Sequence, residues 1–111
     1  MNNLDVYDFI IKELTSNPID VVVVSKNRKD TIEKIKNMIP KNFISGYEKK
    51  YSLELKNSSR VHSNTIDPRN LLGLSIKYVI LEGNYSPQEI ENFNEFVVPV
   101  VACNNGTIFS I

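Results

Sequence analysis

The apolar residues near the amino terminus recur at the spacing of an α-helix. One face of a helix carries the side chains at positions i, i+3, i+4 and i+7, and this pattern is followed by Leu4, Tyr7, Ile10, Ile11 and Leu14. The polar stretch Ser16-Asn17-Pro18 ends the pattern. The spacing therefore predicts a helix over residues 3–15.

Two later segments are apolar at nearly every position rather than at alternate ones. They are Ile19–Val24 and Ile76–Leu81. A strand that is covered on both faces, as in a parallel sheet, has this continuous pattern, whereas a strand with one solvated face alternates. We expect both segments to be buried parallel strands, and we expect Thr107–Ile111 to be a final strand.

Two further helices are indicated by residues that favour helix starts. Asp30 can cap a helix with Glu33 at the capping-box position, and Pro40 would close that helix. Ser86-Pro87-Gln88-Glu89 combines a capping serine, a proline at the first helical position and a glutamate at the third. We expect the second of these helices to be interrupted at Pro99.

The middle of the chain alternates between apolar and polar residues. Tyr51–Leu55 and Arg60–His62 both alternate, and Asn57-Ser58-Ser59 between them has turn chemistry. This pattern predicts a β-hairpin inserted at the edge of the sheet. Thr65–Leu74 contains Asp-Pro and a glycine and is expected to be a loop. The order of elements predicts one α/β domain over residues 1–111, with a mostly parallel sheet flanked by helices.

The composition is that of an ordinary globular domain without a charge bias. The chain has 111 residues, of which 41% are hydrophobic and 23% charged, and its formal net charge is zero. Nucleic-acid affinity is built largely from an excess of Lys and Arg. The charge balance therefore argues against a protein whose main task is to neutralise phosphates, although a local basic patch remains open.

The single cysteine and the short apolar runs bear on the compartment. Cys103 has no partner for an intramolecular disulfide, which favours a reducing environment. The longest apolar runs fall far short of the roughly 20 residues that a membrane span needs, and no basic region leads into an apolar one at the amino terminus. We expect a soluble, cytoplasmic protein that does not contact a membrane.

Four stretches of sequence carry a resemblance to a known family, namely VVVVSKNRKDTIEKIKNMI, YSLELKNSSRVHS, DPRNLLGLSIKYVILEG and GTIFSI. In their order and spacing they resemble the ATPase domain of phage large terminases, the motors that package DNA, and more broadly helicase-type P-loop NTPases. The first is similar to the strand, loop and helix after the P-loop helix, and the second to the family's hairpin. The third is similar to the segment that ends in the Walker B strand, and the fourth to the strand of the coupling motif. The resemblance covers almost the whole chain and implies a P-loop NTPase-like fold.

Departures from the family pattern decide the expected function. No GxxxxGK followed by Ser or Thr is present, so the phosphate cradle and its strand are missing ahead of the first helix. Glu82 stands where the resemblance places the magnesium-linked acid, and Gly83 stands where it places the acid that polarises water. Positioning and electrostatics supply nearly all catalysis of phosphoryl transfer. We therefore expect a degenerate site, no catalysis, no cofactor and no metal.

Basic residues provide the candidate anion-binding or nucleic-acid-binding site. Lys26, Arg28 and Lys29 follow a central strand and precede a helix, which is where open α/β sheets bind ligands. Arg60 and Arg69 are further candidates. For each of these side chains a solvated or loop-bracing role is the alternative.

Two other residue types with possible chemistry lack the partners that chemistry needs. His62 has no second histidine and no spaced acid, so we expect a polar, outward-facing strand residue. Cys103 has no identified histidine partner and is expected to be a small core residue.

The leading functional hypothesis is a non-catalytic, phage-encoded, terminase-like protein that acts by protein–protein interaction. It would regulate or inhibit a packaging motor or another nucleic-acid machine, because a sheet edge without its neighbour strand can pair with a partner. A homodimer that covers the same edge is a further possibility. The alternative is a weak nucleic-acid-binding or nucleotide-binding module that uses the basic loop.

Overall fold

The computed structural model describes residues 3–71 and 73–111, without the side chains at positions 47 and 48. Helices and strands alternate through most of the chain. The helices are α1 (Asn3–Ser16), α2 (Arg28–Met38) and α3 (Pro87–Cys103), with short 3-10 helices at Lys41–Phe43 and Pro68–Leu71. The strands are β1 (Asp20–Val24), β2 (Ile44–Lys49), β3 (Ser52–Leu55), β4 (Arg60–Asn64), β5 (Ile76–Leu81) and β6 (Thr107–Ser110).

The strands of the described residues form one mixed six-stranded sheet in the order β2-β3-β4-β1-β5-β6. β1 lies in the centre and pairs in parallel with both β4 and β5, and β5 pairs in parallel with β6. β3 pairs antiparallel with β4 and with β2. The predicted α/β class and the buried parallel strands at β1 and β5 are therefore confirmed, and the sheet is mixed because of its β2-β3 end.

Helices cover the two faces of the sheet and create two apolar clusters. Successive strand residues point to opposite faces. On one face, α1 and α2 pack against alternate residues of β1 and β5, among them Val21, Val23, Tyr78 and Ile80. On the other face, α3 packs against Val22, Val24, Val79 and Leu81. The radius of gyration is 13.1 Å, as expected of one compact domain of this length.

The start of α3 confirms the capping box that the sequence predicts. The Ser86 side chain accepts a hydrogen bond from the Glu89 N–H, and the Glu89 carboxylate accepts one from the Ser86 N–H. The interruption expected at Pro99 is wrong, because α3 continues through it to Cys103. The apolar anchors Phe93 and Val101 lie on either side of the exposed proline, and their burial outweighs the lost backbone hydrogen bond.

The start of α2 differs from the expectation. The helix begins at Arg28, so the N-cap is Asn27 and the capping role predicted for Asp30 is wrong. Asp30 lies in the first turn and instead accepts a hydrogen bond of 2.6 Å from the Asn27 side-chain amide. A carboxylate in the first turn also suits the helix dipole. The sequence therefore indicated a helix start in the correct region, but it placed the cap about one helical turn too late.

The predicted hairpin exists as β3 and β4, with the register Leu53 opposite Val61. Its expected position at the sheet edge is wrong for β4, because this strand also pairs with β1. The edge is formed by β2, a strand that the sequence analysis did not predict. Gly46 interrupts the apolar pattern there, and the register shifts between Ile44 and Glu48, so β2 lacks a regular alternation.

Candidate functional site

Glu82 lies directly after β5, at the carboxyl edge of the parallel strands. Its carboxylate accepts a hydrogen bond of 2.5 Å from the hydroxyl of Tyr7 on α1. Burial of Tyr7, together with this bond and the charge of Glu82, raises the pKa of the Tyr7 phenol. The Glu82 backbone N–H donates to the Val24 carbonyl. The acid at the end of the strand is thus held by α1 and by the backbone of β1.

Gly83 occupies a backbone conformation that explains the residue found there. Its φ is +104°, in the region that side chains of L-residues rarely adopt. Its N–H donates to the carbonyl of Ile111, and the N–H of Ile111 donates to Leu81. An acid at this position would therefore strain the backbone.

The basic loop between β1 and α2 reaches the carboxyl edge, but its cations contact different neighbours. The Lys26 ammonium lies 5.2 Å from the centre of the Tyr85 ring. The Arg28 guanidinium lies 3.8 Å from the centre of the Tyr51 ring, and Arg28 Nε donates to the Ser63 carbonyl at 3.2 Å. Lys29 is exposed. The loop is therefore basic, and Arg28 is the cation that both a ring and a backbone carbonyl hold.

Arg60 does not join this loop. It lies at the beginning of β4, and because β1 and β4 are parallel, this is the opposite edge of the sheet. Arg60 makes two hydrogen bonds of 2.9 Å with the carboxylate of Asp20. These bonds and the charge of Asp20 raise the pKa of Arg60. The guanidinium is thus neutralised by a carboxylate of its own chain.

Arg69 is likewise paired within its own loop. It lies on the short helix Pro68–Leu71, and its Nε and terminal nitrogen donate to the carboxylate of Asp67. Arg69 holds the pKa of Asp67 below its usual value, mainly through these side-chain hydrogen bonds. The geometry corresponds to the loop-bracing alternative for Arg69 and does not bring it to Lys26 or Lys29.

The structure brings other cations close to Arg28 that the sequence analysis did not single out. Lys49 and Lys50 lie at the turn between β2 and β3, and they line the same cleft as Arg28 and His62. The two lysines are adjacent in the sequence and precede Tyr51. The two adjacent lysines were the sequence feature that could have indicated further cations of the site. Only the pairing of β3 with β4, however, brings their turn to the carboxyl edge of β1.

His62 and Cys103 are placed differently from expectation. His62 is half-buried rather than outward-facing, and its Nε2 atom is buried with no hydrogen-bond partner among the described residues. Burial lowers the pKa of the imidazole, and nearby Arg60 and Lys49 lower it further. Cys103 is a free, exposed thiol at the end of α3, so its expected core position is wrong.

Residues 3–71 and 73–111 contain no cluster of potential metal-binding side chains and no helix suited to cross a membrane. Nowhere in these ranges do three or more His, Cys, Asp or Glu side chains come together as potential metal ligands. No helix there is both long enough and apolar enough to cross a bilayer. No protein-family model matches the sequence, and a search of curated proteins finds no significant match.

Proposed function

We propose that this chain is a non-catalytic, terminase-like protein that acts by binding another protein at the free edge of β6. The observation that carries the proposal is the position and composition of this strand. β6 is the end strand of the sheet in the described residues and pairs only with β5. Its residues, Thr107-Ile108-Phe109-Ser110, include no charge and no proline, so the edge lacks the usual protection against pairing.

The backbone groups that would bind a partner strand can be identified. Ile111 donates its N–H to Leu81 and accepts from the N–H of Gly83, so its polar groups face β5. Backbone groups point to alternate sides along an extended chain, and those of Ser110 and Ile108 therefore face away from β5. An extended peptide could form main-chain hydrogen bonds with these two residues, as in β-strand addition.

The opposite edge of the sheet is less suited to this role. β2 contains Glu48, Lys49 and Gly46, and its register shifts along the strand. Charged residues and irregular pairing are devices that natural sheets use to discourage edge-to-edge association. The difference between the two edges favours β6 as the one that receives a partner.

The contacts of Glu82 and the residue that follows it support the absence of catalysis in this proposal. Its carboxylate is engaged by Tyr7, and the following residue is a glycine with a positive φ rather than a second acid. Phosphoryl transfer requires several positioned groups acting together. The resemblance to terminases suggests the class of partner, namely a phage packaging motor or another nucleic-acid machine, and a second copy of the chain is the other candidate.

The test uses two substitutions of one edge residue. Ser110→Pro removes an N–H that faces away from β5, whereas Ser110→Ala removes only the hydroxyl. We expect tagged wild-type protein and Ser110→Ala to capture one dominant protein after nuclease treatment, and Ser110→Pro to lose it while its circular dichroism stays native. If the partner is a second copy, sedimentation will show a dimer that only Ser110→Pro dissociates. Equal capture or equal dimerisation by all three proteins would refute the proposal.

A second candidate function is the binding of nucleic acid or nucleotide by the β1–α2 loop. It is favoured by the position of Lys26, Arg28 and Lys29 at the carboxyl edge of a central parallel strand. Arg60 and Arg69 would not contribute, because each is paired with an aspartate. Oligonucleotide affinity that falls steeply with salt, and that charge reversal at Lys26 and Arg28 abolishes, would favour this function over the first.

A further inference from the structure

A cleft of about 370 Å³ opens at the carboxyl ends of β1 and β4. It lies between the β2–β3 turn and the segment after β4 that contains Asn70. Its size is within the range of small-ligand sites in proteins. The side chains that concern the argument are Arg28, Lys49, Lys50, His62 and Asn70.

The charge of this cleft has one sign. Arg28, Lys49 and Lys50 line it, and no carboxylate is among its lining residues in the described part of the chain. The whole protein, by contrast, has a formal net charge of zero. A cleft lined by one sign of charge concentrates oppositely charged ligands, because its low-dielectric walls focus the field. The cleft therefore favours anions.

Arg28 is fixed in position without being neutralised. Its guanidinium stacks on Tyr51, and its Nε donates to the Ser63 carbonyl. No described residue accepts a hydrogen bond from its terminal nitrogens. Arg60 and Arg69 differ in this respect, since Asp20 and Asp67 each accept hydrogen bonds from Nε and from one terminal nitrogen of the arginine. An arginine that is held in place and keeps both terminal nitrogens for a ligand suits a planar or tetrahedral oxyanion.

His62 adds a second group without a partner. Its Nε2 is buried and has no hydrogen-bond partner among the described residues, although its ring lines the cleft. Buried polar atoms are nearly always satisfied in native proteins, so an orphaned one calls for a bound group. Because Nε2 has almost no solvent exposure, a ligand oxygen in the cleft supplies that partner only when the ring turns towards it.

We propose that this cleft binds a phosphate group, held by the terminal nitrogens of Arg28, the ammonium groups of Lys49 and Lys50, and the imidazole of His62. The Arg28 guanidinium lies 3.8 Å and the Lys50 ammonium 5.1 Å from the centre of the Tyr51 ring. Cations thus contact the ring that would otherwise stack on a base. The site therefore recognises the phosphate and not the base attached to it.

This inference does not depend on the proposed function. The cleft is at the β2–β4 end of the sheet, whereas β6 is at the other end. Substitutions in the cleft leave the β6 edge unchanged, and Ser110→Pro leaves the cleft unchanged. The two proposals can therefore fail separately.

The test uses His62 as a reporter. It is the single histidine of the chain, so its ring signals in a proton–nitrogen NMR spectrum are unambiguous. Titration with inorganic phosphate at constant ionic strength should shift these signals saturably and raise the pKa of the imidazole. A single-stranded oligonucleotide without a terminal phosphate, titrated in the same way, distinguishes backbone phosphate from a small phosphate ligand. Saturable binding of either probe supports the site.

Matched variants locate the effect. Arg28→Gln should weaken phosphate binding by about tenfold or more, because it removes a charge-assisted contact. Lys56→Gln makes the same charge change at an exposed position in the turn between β3 and β4, outside the cleft lining, and should leave the affinity unchanged. Lys49→Gln provides a second loss variant if Arg28→Gln does not fold. The absence of a saturable shift with both probes, or equal weakening by Lys56→Gln, would overturn the proposal.

Discussion

The hydroxyl of Tyr7 on α1 donates a 2.5 Å hydrogen bond to the carboxylate of Glu82, directly after β5. A second bond of the same type runs the other way, since the hydroxyl of Tyr78 on β5 donates to Glu13 on α1 at 2.6 Å. Burial, assisted by Glu13, raises the pKa of Tyr78 to about 12. Helix α1 is thus tied to β5 by two tyrosine–glutamate pairs, and Glu82 has a structural role.

Tyr7→Phe should destabilise the protein by about 1.5–3 kcal/mol, the usual loss for a hydrogen bond to a charged group. The ring of Tyr7 is 1% exposed, so the substitution keeps the packing and removes the hydroxyl alone. Denaturant unfolding at neutral pH measures the change. Glu82→Gln keeps an acceptor oxygen and should cost less. If Tyr7→Phe were as stable as the wild type, the bond would not hold α1 to the sheet.

Local signals predicted those parts of the fold whose causes are local. The capping box at Ser86 and the apolar run of β1 depend on neighbours in sequence, and both were read correctly. The continuation of α3 through Pro99 depends on the packing of Phe93 and Val101 against residues of the sheet. No local sequence pattern contains these contacts. β2 was missed for the same reason, since its pairing with β3 defines it.

The candidate site could be predicted only in part. Residues on one loop, such as Lys26 and Arg28, stay together whatever the fold. The pairing of Arg60 with Asp20 is a contact between residues 40 positions apart, and it removes a cation that composition alone counts as available. The same parallel register places His62 beside Val22, and the antiparallel pairing of β3 with β4 brings Lys49 to the cleft of Arg28. Long-range pairing therefore decides which cations are free.

Two buried serines provide a matched pair of substitutions. The Ser59 hydroxyl accepts a hydrogen bond from the N–H of Ile19 and has the carbonyls of Leu14 and Asn17 within reach of its one proton. Ser59→Ala should destabilise the protein by about 1–3 kcal/mol, since buried backbone groups lose their partner. Ser63 is equally buried, but its Oγ has no partner among the described residues. Ser63→Ala should be neutral or stabilising in the same denaturant unfolding experiment, and the reverse order would contradict this account.

Gly106 makes the turn from α3 into β6 against the backbone of β5. A Cβ atom at this position would overlap the Lys77 carbonyl oxygen, which cannot move without disturbing the strand. Gly106→Ala should therefore cost about 4 kcal/mol or more, at the upper end of single-residue effects. Gly46 has open space around its Cβ position, and Gly46→Ala should change stability by about 1 kcal/mol or less. Thermal unfolding of both variants compares them, and equal midpoints would exclude the close approach at Gly106.

The stability of the protein should decrease in mild acid because of His62. Burial lowers its pKa below the ordinary value, Arg60 and Lys49 lower it further, and Asp20 opposes them, while Glu54 lines the adjoining pocket. The unfolded chain binds the proton first, so this contribution to stability is complete above about pH 6.5 and is lost as the pH falls towards the folded pKa. His62→Gln cannot titrate and lacks the effect. Unfolding in phosphate-free buffers from pH 8 to 5 should show the wild type losing stability relative to the variant, and parallel curves would contradict the prediction.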